Sequence, residues 1–218
     1  MREALAVARQ GALIARPGPS YRHHGSSPAL TVFIHGYFAG GGVFEPLSDW
    51  LADKAVAMRQ LHFAYGPYGS VHKLAHRLAR NVAEVHPEGP VNLIGHSLGG
   101  VIARYYVQML GGRADRLVCL ATPHAGTTRA RPWSAVPLAR EIAPGSETLR
   151  ALDATRERLS HVRVCSIVAE DDGMVLPIES AVLAGHEVVR LRGVGHQSVL
   201  FHPDAWEHVR RVLRERTR

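Results

Sequence analysis

The segment best suited to chemistry is 91–104, with the sequence VNLIGHSLGGVIAR. At the centre of this stretch, residues 95–99 form a G-x-S-x-G pentapeptide between an apolar run and the small residues of a helix start. A strand that turns sharply into a helix strains the backbone of the central serine and exposes its hydroxyl at the end of a sheet. Glycines suit such a turn because a Cβ would collide with neighbouring elements. The pattern predicts that Ser97 is a nucleophile.

Attack by Ser97 on a carbonyl would create an oxyanion, which needs hydrogen-bond donors. The Leu98 N–H lies at the predicted helix N-terminus, where unpaired N–H groups and the helix dipole favour negative charge. The first buried strand ends in IHGYF, where the Tyr37 N–H is expected to face the serine. Phe38 takes this role if the loop is shifted by one residue, and a merely flexible glycine-rich turn is the alternative interpretation. We expect the backbone N–H groups of Tyr37 and Leu98 to form the oxyanion hole.

A G-x-S-x-G pentapeptide also arises by chance, so the site requires an acid and a base as well. The predicted strand 162–169 ends in three consecutive acids, EDD. Asp172 is the expected acid because Gly173 follows it, which lets the chain turn before packing resumes. A capping turn without a catalytic role is the alternative for this segment.

The last predicted strand ends in RGVGHQS, where His196 lies in a glycine-framed loop. Of the 14 histidines, His196 is the one at a late strand exit that follows an acidic exit. It can accept the Ser97 proton at Nε2 while Asp172 holds its Nδ1–H. The chain order Ser97, Asp172, His196 is that of the α/β-hydrolases. Two further histidines have supporting roles: His96 is expected to shape the pocket wall, and His35 to be a structural partner in the oxyanion loop.

The elements that must position these residues alternate between apolar, β-rich runs and helical patterns from residue 29 onward. The runs are continuously apolar, as expected for strands covered by helices on both faces. This alternation predicts an α/β class fold, with one mostly parallel, doubly wound sheet of about six strands and helices on both faces. The predicted strands are 30–35, 57–64, 91–95, 116–122, 162–169 and 187–191. The predicted helices are 44–54, 70–85, 99–110, 146–159, 176–183 and 204–217.

Residues 1–28 are predicted to be an N-terminal amphipathic helix followed by a linker at 17–28 that is rich in turn formers. Charged residues interrupt its apolar stretch, which disfavours a secretory signal, so a cytoplasmic location is expected, or secretion if a signal has been trimmed. His23 and His24 lie in the linker without a second cluster of ligands, so solvated side chains are favoured over a metal site.

The formal charge of +7 could indicate a nucleic-acid partner, but 24 of the 26 basic residues are arginines spread along the whole chain. A solvated basic surface is therefore favoured over nucleic-acid binding, and weak peripheral contact with anionic lipid remains compatible with it. Cys119 and Cys165 fall in predicted core strands, which favours free buried thiols over a disulfide.

Four stretches resemble the bacterial lipase and esterase type of α/β-hydrolase, including class 2 and triacylglycerol lipases. They are VFIHGYFAGG, VNLIGHSLGG, LVCLATPHAGT, and the pair AEDDGMVLP with GVGHQSVL. The resemblance spans about residues 30–210, and LATPHAGT is a specific marker of that group. It implies that Ser97 is the nucleophile, Asp172 the acid and His196 the base, with His124 supporting the site. The chain differs from larger members because it lacks their leading strands and large cap.

The resemblance implies a carboxylic-ester hydrolase acting on a small ester or lipid through an acyl-enzyme, with residues 29–218 as the hydrolase domain. Residues 124–161 form the one insertion long enough for a small cap, in which Trp133, Val136, Leu138 and Ile142 alternate with arginines. An ordinary surface helix is the equal alternative for this segment. Neither a metal nor an organic cofactor is expected. The alternatives to an ester hydrolase are an acyltransferase or thioesterase with the same triad, and a non-catalytic binding protein on the same fold.

Overall fold

The computed structural model describes residues 2–14, 21–24, 29–133 and 135–215. Within these residues the sheet has seven strands in the order β1-β3-β2-β4-β5-β6-β7. The strands are β1 Tyr21–His24, β2 Leu30–Ile34, β3 Met58–Phe63, β4 Val91–His96, β5 Ala114–Leu120, β6 Arg163–Ala169 and β7 Glu187–Leu191. The helices are α1 Arg2–Ile14, α2 Glu45–Asp53, α3 Val71–Val85, α4 Leu98–Leu110, α5 Pro137–Glu141, α6 Glu147–Ala154 and α7 Pro203–Arg214.

Strands β2 to β7 are mutually parallel, which confirms the predicted α/β fold with a mostly parallel sheet. All six lie within two residues of their predicted positions. The two faces of the sheet are covered by separate apolar clusters. In β2, Val32 packs in a cluster with residues of α3 and α4, and Phe33 packs in a cluster with residues of α2 and α7. Helices therefore cover both faces, as the continuous apolar runs indicate.

The six predicted strands are present, and a seventh strand lies within the segment predicted as a linker at 17–28. Tyr21–His24 forms β1, which pairs antiparallel with β3, with His23 opposite Arg59 and His24 opposite Met58. A four-residue edge strand bonds through its backbone to a single neighbour, so it needs no apolar pattern that a sequence could reveal. The rest of the linker and the side chains of His23 and His24, predicted to be solvated, lie outside the described residues.

Two predicted helices differ from the structure. The helix predicted at 146–159 ends at Ala154 and is followed by a separate 3₁₀ turn, Arg156–Leu159. The Thr155 hydroxyl donates to the carbonyl of Ala151, a back-bond that competes with a continued helix. The segment predicted as a helix at 176–183 contains only the 3₁₀ turn Ile178–Ala181, because Pro177 is extended and biases the residue before it away from helix.

Cys119 and Cys165 lie on the adjacent strands β5 and β6, where both are buried and free, as predicted. Burial raises the pKa of each thiol to about 12, so both stay protonated at neutral pH. No helix among the described residues is long and apolar enough to span a membrane.

Candidate active site

Ser97 lies at the turn between β4 and α4, as the pentapeptide predicts. Its backbone has φ 52° and ψ −121°, in a region that non-glycine residues rarely occupy. A Cβ on Gly99 would lie 2.0 Å from the Ile34 carbonyl oxygen, and one on Gly95 would lie 2.5 Å from the Gly100 nitrogen. The turn can therefore close only with glycine at both positions.

Asp172 and His196 form a buried pair at the ends of β6 and β7. The Nδ1 of His196 is 2.8 Å from Oδ2 of Asp172, and the two residues are only 5% and 6% exposed. The other carboxylate oxygen of Asp172 accepts N–H bonds from Met174 at 2.7 Å and Val175 at 2.8 Å. With Nδ1–H donated to Asp172, the Nε2 of His196 is left as a proton acceptor.

The same contacts keep Asp172 ionised. Burial alone would raise the pKa of its carboxyl, but the hydrogen bond and charge of His196, with the N–H groups of Val175 and Met174, outweigh burial and lower the pKa. The two acids before Asp172 do not contact His196: Glu170 forms an ion pair with Arg192 at 3.4 Å, and Asp171 is exposed to solvent. Of the three consecutive acids, only Asp172 turns inward.

Ser97 and His196 both line a cavity of about 210 Å³. The predicted oxyanion donors Tyr37 and Leu98 line it as well, and so does the alternative Phe38. Leu98 is the first residue of α4, so its N–H has no acceptor within the helix. No backbone hydrogen bond from the Tyr37 N–H is found in the described part of the chain. The structure thus brings the predicted nucleophile, base and oxyanion donors to one cavity, with Asp172 behind the base.

The segment predicted as a small cap supplies much of the cavity wall. Trp133 is 63% exposed at the cavity, whereas Leu138 is buried against it. The cap residues that line the cavity are Thr127, Arg129, Ala130, Trp133, Val136, Leu138, Ala139 and Ile142. Most of these side chains are apolar, so the cavity suits an apolar group such as an acyl chain.

His96 does not line the cavity, so the expectation that it shapes the pocket wall is wrong. Its Nε2 is 2.9 Å from the backbone carbonyl oxygen of His196, and the residue is fully buried. Burial, reinforced by His196, lowers the pKa of His96 to about 3. The ring is therefore neutral and donates Nε2–H to that carbonyl. This supporting role depends on how two distant loops pack, for which the sequence carries no local signal.

His35 lies at the start of the predicted oxyanion loop, where its ring bonds to the backbone on both sides. Its Nδ1 donates to the Gly36 carbonyl at 2.7 Å, and its Nε2 accepts the Tyr65 N–H at 3.1 Å. The Tyr65 ring stacks on the imidazole with centroids 4.1 Å apart. Burial lowers the pKa of His35 to about 4, so it holds the loop as a neutral ring.

His124 is buried behind the site, and it does not line the cavity. Its Nε2 lies 3.2 Å from the Ser166 hydroxyl, and its Nδ1 lies 3.4 Å from a guanidinium nitrogen of Arg104. Arg104 also donates to the Leu152 carbonyl at 3.0 Å, which links α6 to α4. His124 thus supports the framework around the site. No cluster of three or more metal-ligating side chains occurs among the described residues.

Solved structures with this architecture are numerous. The mature lipase of Bacillus licheniformis superposes with a TM-score of 0.72 at 14% identity, covering 91% of this chain and 99% of that one. A monoacylglycerol lipase from Paleococcus ferrophilus gives 0.63 at 14% identity, covering 88% and 95%. An esterase from Exiguobacterium antarcticum gives 0.64 at 18% identity, covering 89% and 94%. The chain therefore has the α/β-hydrolase fold.

Sequence comparison adds a second likeness for this chain. The thioesterase domain family matches residues 30–131, somewhat less than half of the 218 residues. The matched span contains Ser97 and the predicted oxyanion loop but ends before Asp172 and His196. No curated protein sequence matches the chain significantly.

Proposed function

We propose that this α/β-hydrolase cleaves carboxylic esters through an acyl-enzyme on Ser97. The observation that carries the proposal is the buried Asp172–His196 pair, whose histidine shares an apolar cavity with a serine in a strained strand-to-helix turn. A nucleophile, a base and an oriented carboxylate are the minimum set for acyl transfer by serine.

In the proposed reaction, Nε2 of His196 takes the Ser97 proton as the serine oxygen bonds to the ester carbonyl carbon. The N–H groups of Tyr37 and Leu98 donate to the resulting oxyanion, and Asp172 stabilises the imidazolium. His196 then protonates the leaving alkoxide as the carbon–oxygen bond breaks. Water, deprotonated by His196, then attacks the acyl carbonyl carbon. His196 returns the proton to the departing Ser97 oxygen, which releases the acid. The chemistry of this cycle is carried by side chains and backbone N–H groups alone.

The substrate we propose has an acyl chain that lies among the apolar side chains of the cap. Burial of each methylene is worth about 0.8 kcal/mol, so this cavity favours longer chains over acetate. The lipases and the esterase with the same fold support an ester as the substrate.

A second candidate is thioester hydrolysis, which the match of residues 30–131 to thioesterase domains favours. The steps are the same, except that a thiolate leaves in place of an alkoxide. Transfer of the acyl group to an alcohol or amine would also use the same triad and is distinguished by the acceptor.

The test compares wild type and Ser97→Ala on p-nitrophenyl esters from acetate to palmitate and on an acyl thioester. Wild-type hydrolysis that is lost in Ser97→Ala supports the proposal. The substrate class with the higher kcat/KM, ester or thioester, decides between the two candidate functions. Mass spectrometry with an added alcohol or amine detects acyl transfer. Equal rates for the two proteins, or failure of a fluorophosphonate to label Ser97 in folded wild type, would overturn it.

A further inference from the structure

Glu3, on the N-terminal helix α1, contacts the loop that carries His196. Its Oε1 accepts the Gln197 N–H at 2.7 Å, and its Oε2 accepts the Ser198 N–H at 3.0 Å. These are the two residues directly after His196. A carboxylate that accepts two backbone N–H bonds makes charge-assisted hydrogen bonds, which are shorter and stronger than neutral ones.

The residue before His196 is also matched to Glu3. A Cβ on Gly195 would lie 2.4 Å from Oε2 of Glu3, so any side chain there would displace the carboxylate. The Gly195 N–H is in turn held by the Ser198 hydroxyl at 2.7 Å. The backbone on both sides of His196 is therefore fitted around this one side chain.

Helix α1 is held against the body of the protein by contacts other than Glu3. Leu13 is buried in the cluster that contains residues of α2 and α7, and Ala6 is buried as well. The Arg9 guanidinium lies over the Phe201 ring, 4.8 Å from its centroid. Because these contacts dock the helix independently, Glu3 is not required merely to hold α1 in place.

We propose that Glu3 is a positioning residue for His196, which makes α1 part of the active site. The proposal rests on the proposed function of His196 as the base. Three groups then orient His196: Asp172 holds its ring nitrogen, His96 holds its carbonyl, and Glu3 holds the two N–H groups that follow. Loss of the carboxylate leaves those N–H groups without their acceptor and lets the loop shift relative to Ser97. A shift of about 1 Å in a catalytic group can lower the rate about 100-fold.

The experiment measures kcat and KM on a p-nitrophenyl ester for Glu3→Ala, Glu3→Gln and Arg9→Ala, with Ser97→Ala beside them. Arg9→Ala is the matched control because it removes the docking contact with Phe201 but keeps both hydrogen bonds to Gln197 and Ser198. We expect Glu3→Ala to lower kcat at least about tenfold with KM within about twofold, since orientation acts on the chemical step. Glu3→Gln keeps one acceptor oxygen and should fall between wild type and Glu3→Ala. The rate of Ser97 labelling by a fluorophosphonate should fall with kcat.

Thermal melting establishes that each variant is folded at the assay temperature. A folded Glu3→Ala with wild-type kcat would overturn the inference while leaving the proposed function intact, provided that Ser97→Ala is inactive. An equal loss of kcat in Arg9→Ala would also overturn it, because Glu3 would then act only by docking the helix. If Glu3→Ala melts below the assay temperature, Glu3→Gln decides: its kcat must fall while its melting temperature and KM stay near wild type. Full activity in Ser97→Ala would instead refute the proposed function.

Discussion

The Nε2 of His96 lies 2.9 Å from the backbone carbonyl oxygen of His196. His96, which directly precedes the proposed nucleophile Ser97, is therefore hydrogen-bonded to the backbone of the proposed base. The Nδ1 of the His96 ring has no hydrogen-bond partner within the described residues. The bond from Nε2 to the His196 carbonyl is therefore the ring's hydrogen bond in this part of the chain. The strand-to-helix turn and the base loop are thus coupled by one neutral imidazole.

Replacing His96 with leucine should lower kcat without unfolding the protein. Leucine keeps an apolar volume in this buried position but cannot donate to the His196 carbonyl, so the base loses one of its orienting contacts. We expect a decrease of about 10- to 100-fold in kcat on a p-nitrophenyl ester. His161→Leu, at an exposed position, should have wild-type kcat. A His96→Leu variant within twofold of wild type would contradict this role.

Asp172→Asn should nearly abolish activity. The amide cannot stabilise the imidazolium and favours the wrong histidine tautomer, which costs about 10,000-fold in kcat in other serine triads. Asp171→Asn changes the exposed neighbouring acid and should leave kcat unchanged. Steady-state kinetics on the two variants make the comparison, and similar losses in both would refute the assignment of Asp172.

The stability of the fold should decrease in mild acid, with His35 and His96 as contributors, and the contribution of His35 can be measured by substitution. The pKa of His35 is about 4 in the folded protein against an ordinary 6.5, so between these values only the unfolded chain binds a proton at this position. The free energy of unfolding should therefore fall as pH is lowered from 6.5 to 4, with a contribution of about 1.4 kcal/mol per pH unit from this residue. Above pH 6.5 the contribution is constant.

Urea unfolding at several pH values measures this slope. His35→Gln, which cannot be protonated, should show a shallower dependence between pH 4 and 6.5, whatever its stability at neutral pH. Identical slopes for wild type and variant would show that His35 titrates normally in the folded state.

Gly99→Ala should prevent the turn at Ser97 from closing. The added methyl group would overlap the Ile34 carbonyl oxygen, a rigid backbone atom of β2. We expect a loss of stability of about 1–3 kcal/mol or more, together with loss of activity. Gly66→Ala is the control, because its Cβ would meet no atom within 4 Å. Denaturant melts of the two variants test the prediction, which fails if they are equally stable.

Trp133→Ala should weaken the preference for longer acyl chains. Trp133 lines the cavity, so its loss removes apolar surface that a long chain contacts but an acetyl group does not reach. The ratio of kcat/KM for octanoate over acetate should fall about tenfold, the equivalent of roughly two buried methylenes. Arg131→Ala, in the same 3₁₀ turn but outside the cavity wall, should keep the wild-type ratio. An unchanged ratio in Trp133→Ala would exclude the cap from chain-length selection.

Features that depend on residues close together in the sequence could be predicted from it. The six parallel strands follow from continuous apolar runs, and the turn at Ser97 follows from its flanking glycines. The pairing of Asp172 with His196 was also predictable, because the ends of parallel strands converge at one edge of the sheet.

Features that depend on packing between segments distant in the sequence could not be predicted. Strand β1 is a four-residue edge strand with a single neighbour, and its composition is typical of a linker. His96 and Glu3 act on the base loop across 100 and 194 positions, respectively. A lone histidine inside a pentapeptide or a lone acid on an amphipathic helix carries no sign of such a partner.

The bond between Glu3 and Gln197 also bears on when this protein can become active. The two residues are 194 positions apart, so their contact joins segments that are distant in the sequence. If Glu3 orients the base, the triad reaches full efficiency only after helix α1 has docked against the loop that carries His196. The hydrolytic rate would then report on the docking of α1, which a spectroscopic measurement of overall folding does not resolve.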